Sequence, residues 1–273
     1  MLADFLLVSG SSLAAAAVVM TLAALWARAV SRVAVVDVAW GLGFVAVALT
    51  AAVVGGATQG DGPRRWLLLA LVGLWGLRLA WHIRRRAVGA HEGKEDPRYE
   101  ALLGGPLAEV GMGVAVRKVF LVQGSVLWFV SLPVQLGASV PLEWSPLVLV
   151  GVLVWVVGVV FETVGDAQLA AYKVDPDRPP VMDRGLWGWT RHPNYFGDAS
   201  VWWGLWLVGG LASGWVGLLT VLSPIAMTFF LVNATGAKLL ERTMMQRPGY
   251  PEYAARTSMF FPLPPRRRAG PQG

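Results

Sequence analysis

Residues 146–165 read PLVLVGVLVWVVGVVFETVG. About 20 apolar residues in a row is the length of a helix that crosses a bilayer. Its only charge, Glu162, comes near the end. The composition around it agrees: 55% of the 273 residues are hydrophobic and 15% charged, against about 25% charged in a soluble domain. The apolar residues fall in long runs and not in amphipathic stripes. The chain is therefore read as all-α, a polytopic integral membrane protein with one domain over 1–263. A basic tail over 264–273, rich in Pro and Arg, is read as disordered.

Working outward, the same reasoning gives seven spans, at 4–27, 33–56, 66–83, 119–138, 146–165, 199–213 and 215–235. The first is too long for a signal-peptide core and carries Asp4, although Gly10-Ser11-Ser12 weakens it as a helix. With the N-terminus outside, all 23 Lys and Arg except Arg64, Arg65 and Arg78 fall on the inner side. That bias follows the positive-inside rule and predicts a cytoplasmic C-terminus. It also accounts for the net charge of +6. No basic segment is interleaved with aromatics for stacking bases, so a nucleic-acid partner is not expected. The absence of Cys removes disulfides, thiolate catalysis and Cys-ligated metal. No internal repeat suggests an inverted-repeat transporter.

Two inner segments are long enough to carry chemistry. The first, 84–118, holds His91, Glu92, Lys94, Glu95, Asp96, Arg98 and Tyr99. Its His91–Glu95 stretch lacks zinc-ligand spacing and reads as solvated loop. The second, 166–198, ends in Arg191-His192-Pro193-Asn194-Tyr195-Phe196-Gly197-Asp198 at the mouth of an apolar run. Such a polar cluster is costly there unless it binds something. Five ionisable residues also fall inside expected spans: Asp37, Arg78, His82, Glu162 and Asp166. Each costs roughly 2.5–3.5 kcal/mol on insertion unless paired or wet, so a polar cavity is expected.

Asp37 shares a helical face with Trp40 and reads either as half of an Asp37–Arg78 ion pair or as a carboxyl group facing a substrate. Arg78 and His82 share a face on the third span. Glu162 and Asp166, also i, i+4, suit ribose hydroxyls or a capped network better than a metal, since no His joins them. The many Trp residues fit interfacial belts, with Trp187 and Trp189 as candidate walls of a pocket.

The eight residues 191–198, preceded by Asp183-Arg184-Gly185-Leu186-Trp187, resemble the C-terminal signature of the steroid 5-alpha-reductase superfamily. The tail Arg247-Pro248-Gly249-Tyr250-Pro251-Glu252-Tyr253, with Arg256 and Phe261-Pro262, fits the same region. The clear match covers about 155–263 and is most similar to a bacterial branch of a group that also includes sterol C14-reductases and, more distantly, isoprenylcysteine carboxyl methyltransferases. The resemblance implies seven helices and NADPH entering from the cytoplasm. It implies that Asn194 meets the nicotinamide carboxamide and that Asp198 lies near the nicotinamide or substrate. Glu162 and Asp166 would meet ribose, and Lys173, Arg184 and Arg256 phosphates, with Arg191, His192, Tyr250 and Tyr253 in the same cofactor site. Cations suit a 2′-phosphate, which favours NADPH over NADH. No Gly-x-Gly-x-x-Gly stretch supports a Rossmann site.

Steroid 5-alpha-reductases pair a carboxylate with a tyrosine to polarise the enone oxygen. Asp37 fits the carboxylate, but the tyrosine position falls on Trp75, which has no acidic proton. The candidate catalytic residues are thus Asp37, His82 and Tyr195, with Trp40, Trp75, Arg78 and Asp198 as substrate contacts. The expected activity is NADPH-dependent reduction of a conjugated C=C in a steroid-like or other lipid, in a bacterial inner membrane. The alternatives are an S-adenosylmethionine-dependent lipid methyltransferase and a membrane protein without enzymatic activity.

Overall fold

The computed structural model describes residues 1–90, 95–234 and 236–264. The tail beyond 264 and the stretch His91–Lys94, for which solvated loop was expected, lie outside them. Among the described residues every regular element is a helix, and one isolated bridge links Thr190 and Ser258.

Helix α1 (Leu2–Val30) runs straight through Gly10-Ser11-Ser12, where a weak point was expected. Ser9 and Ser12 turn inward, and Trp128 donates its indole N–H to Ser9. A left-handed Ser31 ends the helix. Then come α2 (Val35–Val54), extended by one turn to Ala57, and α3 (Gly62–Ala90). Two short helices follow, α4 (Pro97–Leu103) and α5 (Leu107–Val110). Helix α6 (Met112–Ala115) passes through a π turn into α7 (Leu121–Val130). The span expected over 119–138 is broken at Ser131, whose ψ of 3° leaves helical geometry. Pro133 then sits in the first turn of α8 (Leu132–Ser139), where its missing N–H does no harm.

Helix α9 (Pro146–Val174) runs nine residues past its expected end at 165, so Asp166 and Lys173 are helical. Helix α10 (Pro193–Leu205) continues through a π turn, Trp206–Gly210. Last come α11 (Leu222–Phe229), α12 (Ala237–Met244) and α13 (Tyr250–Arg256). Among the described residues, six segments are long and apolar enough to cross a membrane: 2–30, 35–57, 62–86, 112–130, 146–174 and 215–244. The stretch expected to span at 199–213 is helical but is not among the six.

The chain forms two compact units, one of 1–148 with 205–223, the other of 149–204 with 224–273. In the first, α2 packs between α1 and α3. Helices α2 and α3 approach at Gly41 and Gly76: a Cβ on Gly41 would lie 2.5 Å from the Gly76 carbonyl. Beside that crossing, Phe44 stacks edge-on against Trp40 and the fully buried Trp75.

In the second unit the buried face of α9 is Gly151, Trp155, Gly158, Glu162 and Gly165. Its glycines recur every seven residues: Gly151 and Gly158 meet Gly204 and Gly197 of α10, also seven apart, and Gly165 meets Pro193 and Asn194. A Cβ on Gly197 would lie 2.5 Å from both the Gly158 carbonyl and the Glu162 amide. Lipid tails are as apolar as Leu, so helices in a bilayer associate through such close backbone packing. Gly197→Ala is therefore expected to destabilise the detergent-solubilised protein by about 1–3 kcal/mol, seen as a lower unfolding midpoint. Gly10→Ala, with open space around the new methyl, is expected to leave the midpoint unchanged.

Candidate functional site

Each unit holds its own polar site. In the first, the segment after residue 94 is lashed to the start of α2. Glu95 accepts hydrogen bonds from the Val33 and Ala34 amides. Asp96 caps α4 by accepting from the Arg98 amide at 2.9 Å. Lys118 closes the other end, donating to the Leu102 carbonyl at 2.9 Å, where the helix dipole favours a cation. This short, pinned helix carries Tyr99 to Asp37.

Tyr99 donates its phenolic proton to Asp37 Oδ1, and Arg98 Nη2 lies 3.4 Å from Oδ2. Gln123 of α7 donates to Tyr99 Oη at 3.2 Å. The ion pair on Asp37 is thus made by Arg98, where Arg78 was one reading. Tyr99 is buried, and burial together with the Asp37 charge pushes its phenol well above the usual tyrosine range. It stays protonated at any ordinary pH and is equipped to donate a hydrogen bond.

The tyrosine that meets Asp37 is therefore Tyr99, and Trp75 is fully buried against Phe44. No sequence spacing pointed to this, since the partners lie 62 residues apart. Arg78 and His82 stand half-buried on α3.

In the second unit the glycine contact brings Glu162 and Asp166 on α9 alongside Asn194 and Asp198 on α10. Glu162 is buried, and Asn194 Nδ2 donates to Asp166 Oδ1 at 3.3 Å. Asn194 Oδ1 accepts from the Tyr195 amide at 3.1 Å. A carboxamide offers two donors and two acceptor sites, so one of each kind remains available. Lys173 and Arg184 are exposed.

The other expected cofactor residues are engaged with groups of the chain itself. Arg191 makes a two-pronged bond to Glu241, Nε to Oε1 at 2.6 Å and Nη2 to Oε2 at 2.8 Å. Its Nη1 donates to the carbonyls of Ala254 and Thr257. Burial alone would pull the Arg191 guanidinium down; the bonds and charge of Glu241 outweigh it and hold it above its ordinary value.

His192 is buried, 3.1 Å from Glu241 Oε1, and stacks on Tyr195. Tyr253 donates to the Trp187 carbonyl at 2.6 Å, and Trp187 donates to the Gly165 carbonyl at 3.0 Å. Arg256 pairs with Asp183. The Tyr250 hydroxyl is pushed up to about 12 by burial and the nearby Glu241 charge.

Together these bonds strap the 183–192 segment between α9 and the chain's last turns. Thr190, which donates to the Phe260 carbonyl, is a strap residue that sequence reasoning did not single out. Arg191→Met removes the two-pronged bond from Glu241, leaving it only His192, and strands two carbonyls, at an expected cost of about 3–5 kcal/mol. The readout is thermal unfolding in detergent, with Arg184→Met, an exposed control, expected within about 0.5 kcal/mol of the parent.

No curated protein and no solved structure matches the chain. A family model does, over residues 11–257, under the description "Protein of unknown function (DUF1295)". On a match of that extent, the chain belongs to the DUF1295 family.

Proposed function

We propose that this protein is an integral-membrane reductase that uses NADPH to reduce a C=C bond conjugated with a carbonyl in a lipid. The observation that carries the reading is the Asp37–Tyr99 pair. A neutral phenol held by a carboxylate suits polarisation of a carbonyl oxygen. The family is grouped with the steroid 5-alpha-reductase-like proteins, which supports the same chemistry.

Bound NADPH would supply the hydride for the β-carbon. Tyr99 would turn its Oη–H from Asp37 to the carbonyl oxygen as the π electrons move toward it, with Gln123 still donating to Oη and Arg98 still neutralising Asp37. A proton taken up at the α-carbon completes the saturated product. In the second unit the donor set fits the cofactor's polar end. Asn194 has a donor and an acceptor to offer a carboxamide, and Glu162, Asp166 and Asp198 offer acceptors to hydroxyls. Lys173 and Arg184 are the exposed cations we assign to phosphates.

A groove of about 450 Å³ between α1 and the α6–α7 segment supports a lipid substrate. Ala16, Met20, Phe120 and Leu121 are among its lining, and Arg28 stands at one end. We further place the helical stretch over 199–213 as a seventh span, with the N-terminus outside and the 84–118 and 166–198 segments cytoplasmic, on the charge bias.

A thermal-shift titration tests the cofactor. NADPH at a hundredfold excess over its dissociation constant is expected to stabilise the protein by about 2.7 kcal/mol. Asn194→Ala is expected to weaken that response, and Tyr99→Phe to leave it intact while lowering enone turnover by about 10²–10⁴-fold. Stabilisation by S-adenosylmethionine in place of NADPH would move the protein to the methyltransferase reading.

A further inference from the structure

Gln123 stands on α7 beside the Asp37–Tyr99 pair, and its two polar ends are unequally used. Its Nε2 donates to Tyr99 Oη at 3.2 Å. The phenol has one proton, and that proton goes to Asp37. Tyr99 can therefore only accept from Gln123, which fixes the amide with its N–H toward the phenol. The other end, Oε1, is buried and has no hydrogen-bond donor among the described residues. A buried carbonyl without a donor is costly and uncommon, so it calls for a ligand or a reason.

We infer that Gln123 Oε1 is a substrate contact, and that the lipid carries a hydrogen-bond donor on its carbonyl group. This deepens the reductase reading and rests on Tyr99 as the group that meets the carbonyl. Tyr99 Oη–H and Gln123 Oε1 form a donor and an acceptor side by side. A carboxamide, or a carboxylic acid in its neutral form, presents the complement: C=O to Tyr99 and N–H or O–H to Gln123.

When Tyr99 turns its proton from Asp37 to such a ligand, its Oη still accepts from Gln123, and Arg98 still neutralises Asp37. A plain ketone offers acceptors only and leaves Gln123 Oε1 buried without a donor. Gln123 is then the residue that selects enamides and enoic acids over enones, including ketosteroids.

The test is binding of three chain-matched probes to the full-length protein in detergent, without NADPH. They are a long-chain trans-enamide, the corresponding enoic acid at a pH below its pKa, and the methyl enone. The structure is expected to give the enamide and the protonated acid at least about tenfold tighter binding than the enone. Gln123→Leu, checked for an unchanged unfolding midpoint, is expected to erase that preference by weakening the amide and acid while leaving the enone within about threefold. In turnover the same variant should raise KM for the enamide with kcat little changed.

Equal affinity of the native protein for all three probes overturns the inference without any variant. So does a preference that survives Gln123→Leu. Because binding is read without cofactor, failure of NADPH to bind would sink the reductase reading separately and leave this result interpretable.

Discussion

Backbone contact at glycine is the constraint on which the polar sites depend. In a bilayer no hydrophobic gain drives helix against helix, so close packing has to supply the association. Gly151, Gly158 and Gly165 on α9 and Gly197 and Gly204 on α10 let two main chains touch over several turns. That contact sets Glu162 and Asp166 level with Asn194 and Asp198. Any side chain at Gly197 would separate the helices and pull the four polar groups apart. Gly41 and Gly76 do the same for α2 and α3, with the Trp40–Phe44–Trp75 stack beside them.

A second constraint concerns Asp37. A carboxylate near the start of a membrane helix needs partners, and here they come from outside the spans. Helix α4 has only seven residues, too few to be stable alone. It is held by Glu95 on the α2 amides, by its Asp96 cap and by Lys118 on its last carbonyls. The phenol that meets Asp37 is thereby placed by a short pinned helix and not by a span.

These two features explain what the sequence revealed and what it hid. Apolar runs announce spans plainly, because a bilayer demands length and hydrophobicity and little else. Their ends were less legible: α9 carries Asp166 and Lys173 past its apolar run, and Pro133 restarts a helix that composition alone would continue. The cluster at 191–198 stood out because charge at a helix mouth is rare. Its intrachain partners did not, since nothing in the spacing shows that Arg191 bonds to Glu241 and to the carbonyls of Ala254 and Thr257. Tyr99 stayed hidden because its link to Asp37 is made by tertiary structure across 62 residues.

The most direct test of the account is the fate of the cofactor's hydride. The protein in lipid nanodiscs would be given NADPH deuterated at the nicotinamide C4, together with long-chain lipids bearing a C=C conjugated to a carbonyl. Mass spectrometry and NMR would then locate the label in the product. The account predicts a saturated product with one deuterium, at the β-carbon, and none formed by Tyr99→Phe within the time the native protein needs for completion. Unreacted lipid across the acid, amide and ketone series, or label at any other carbon, would contradict it.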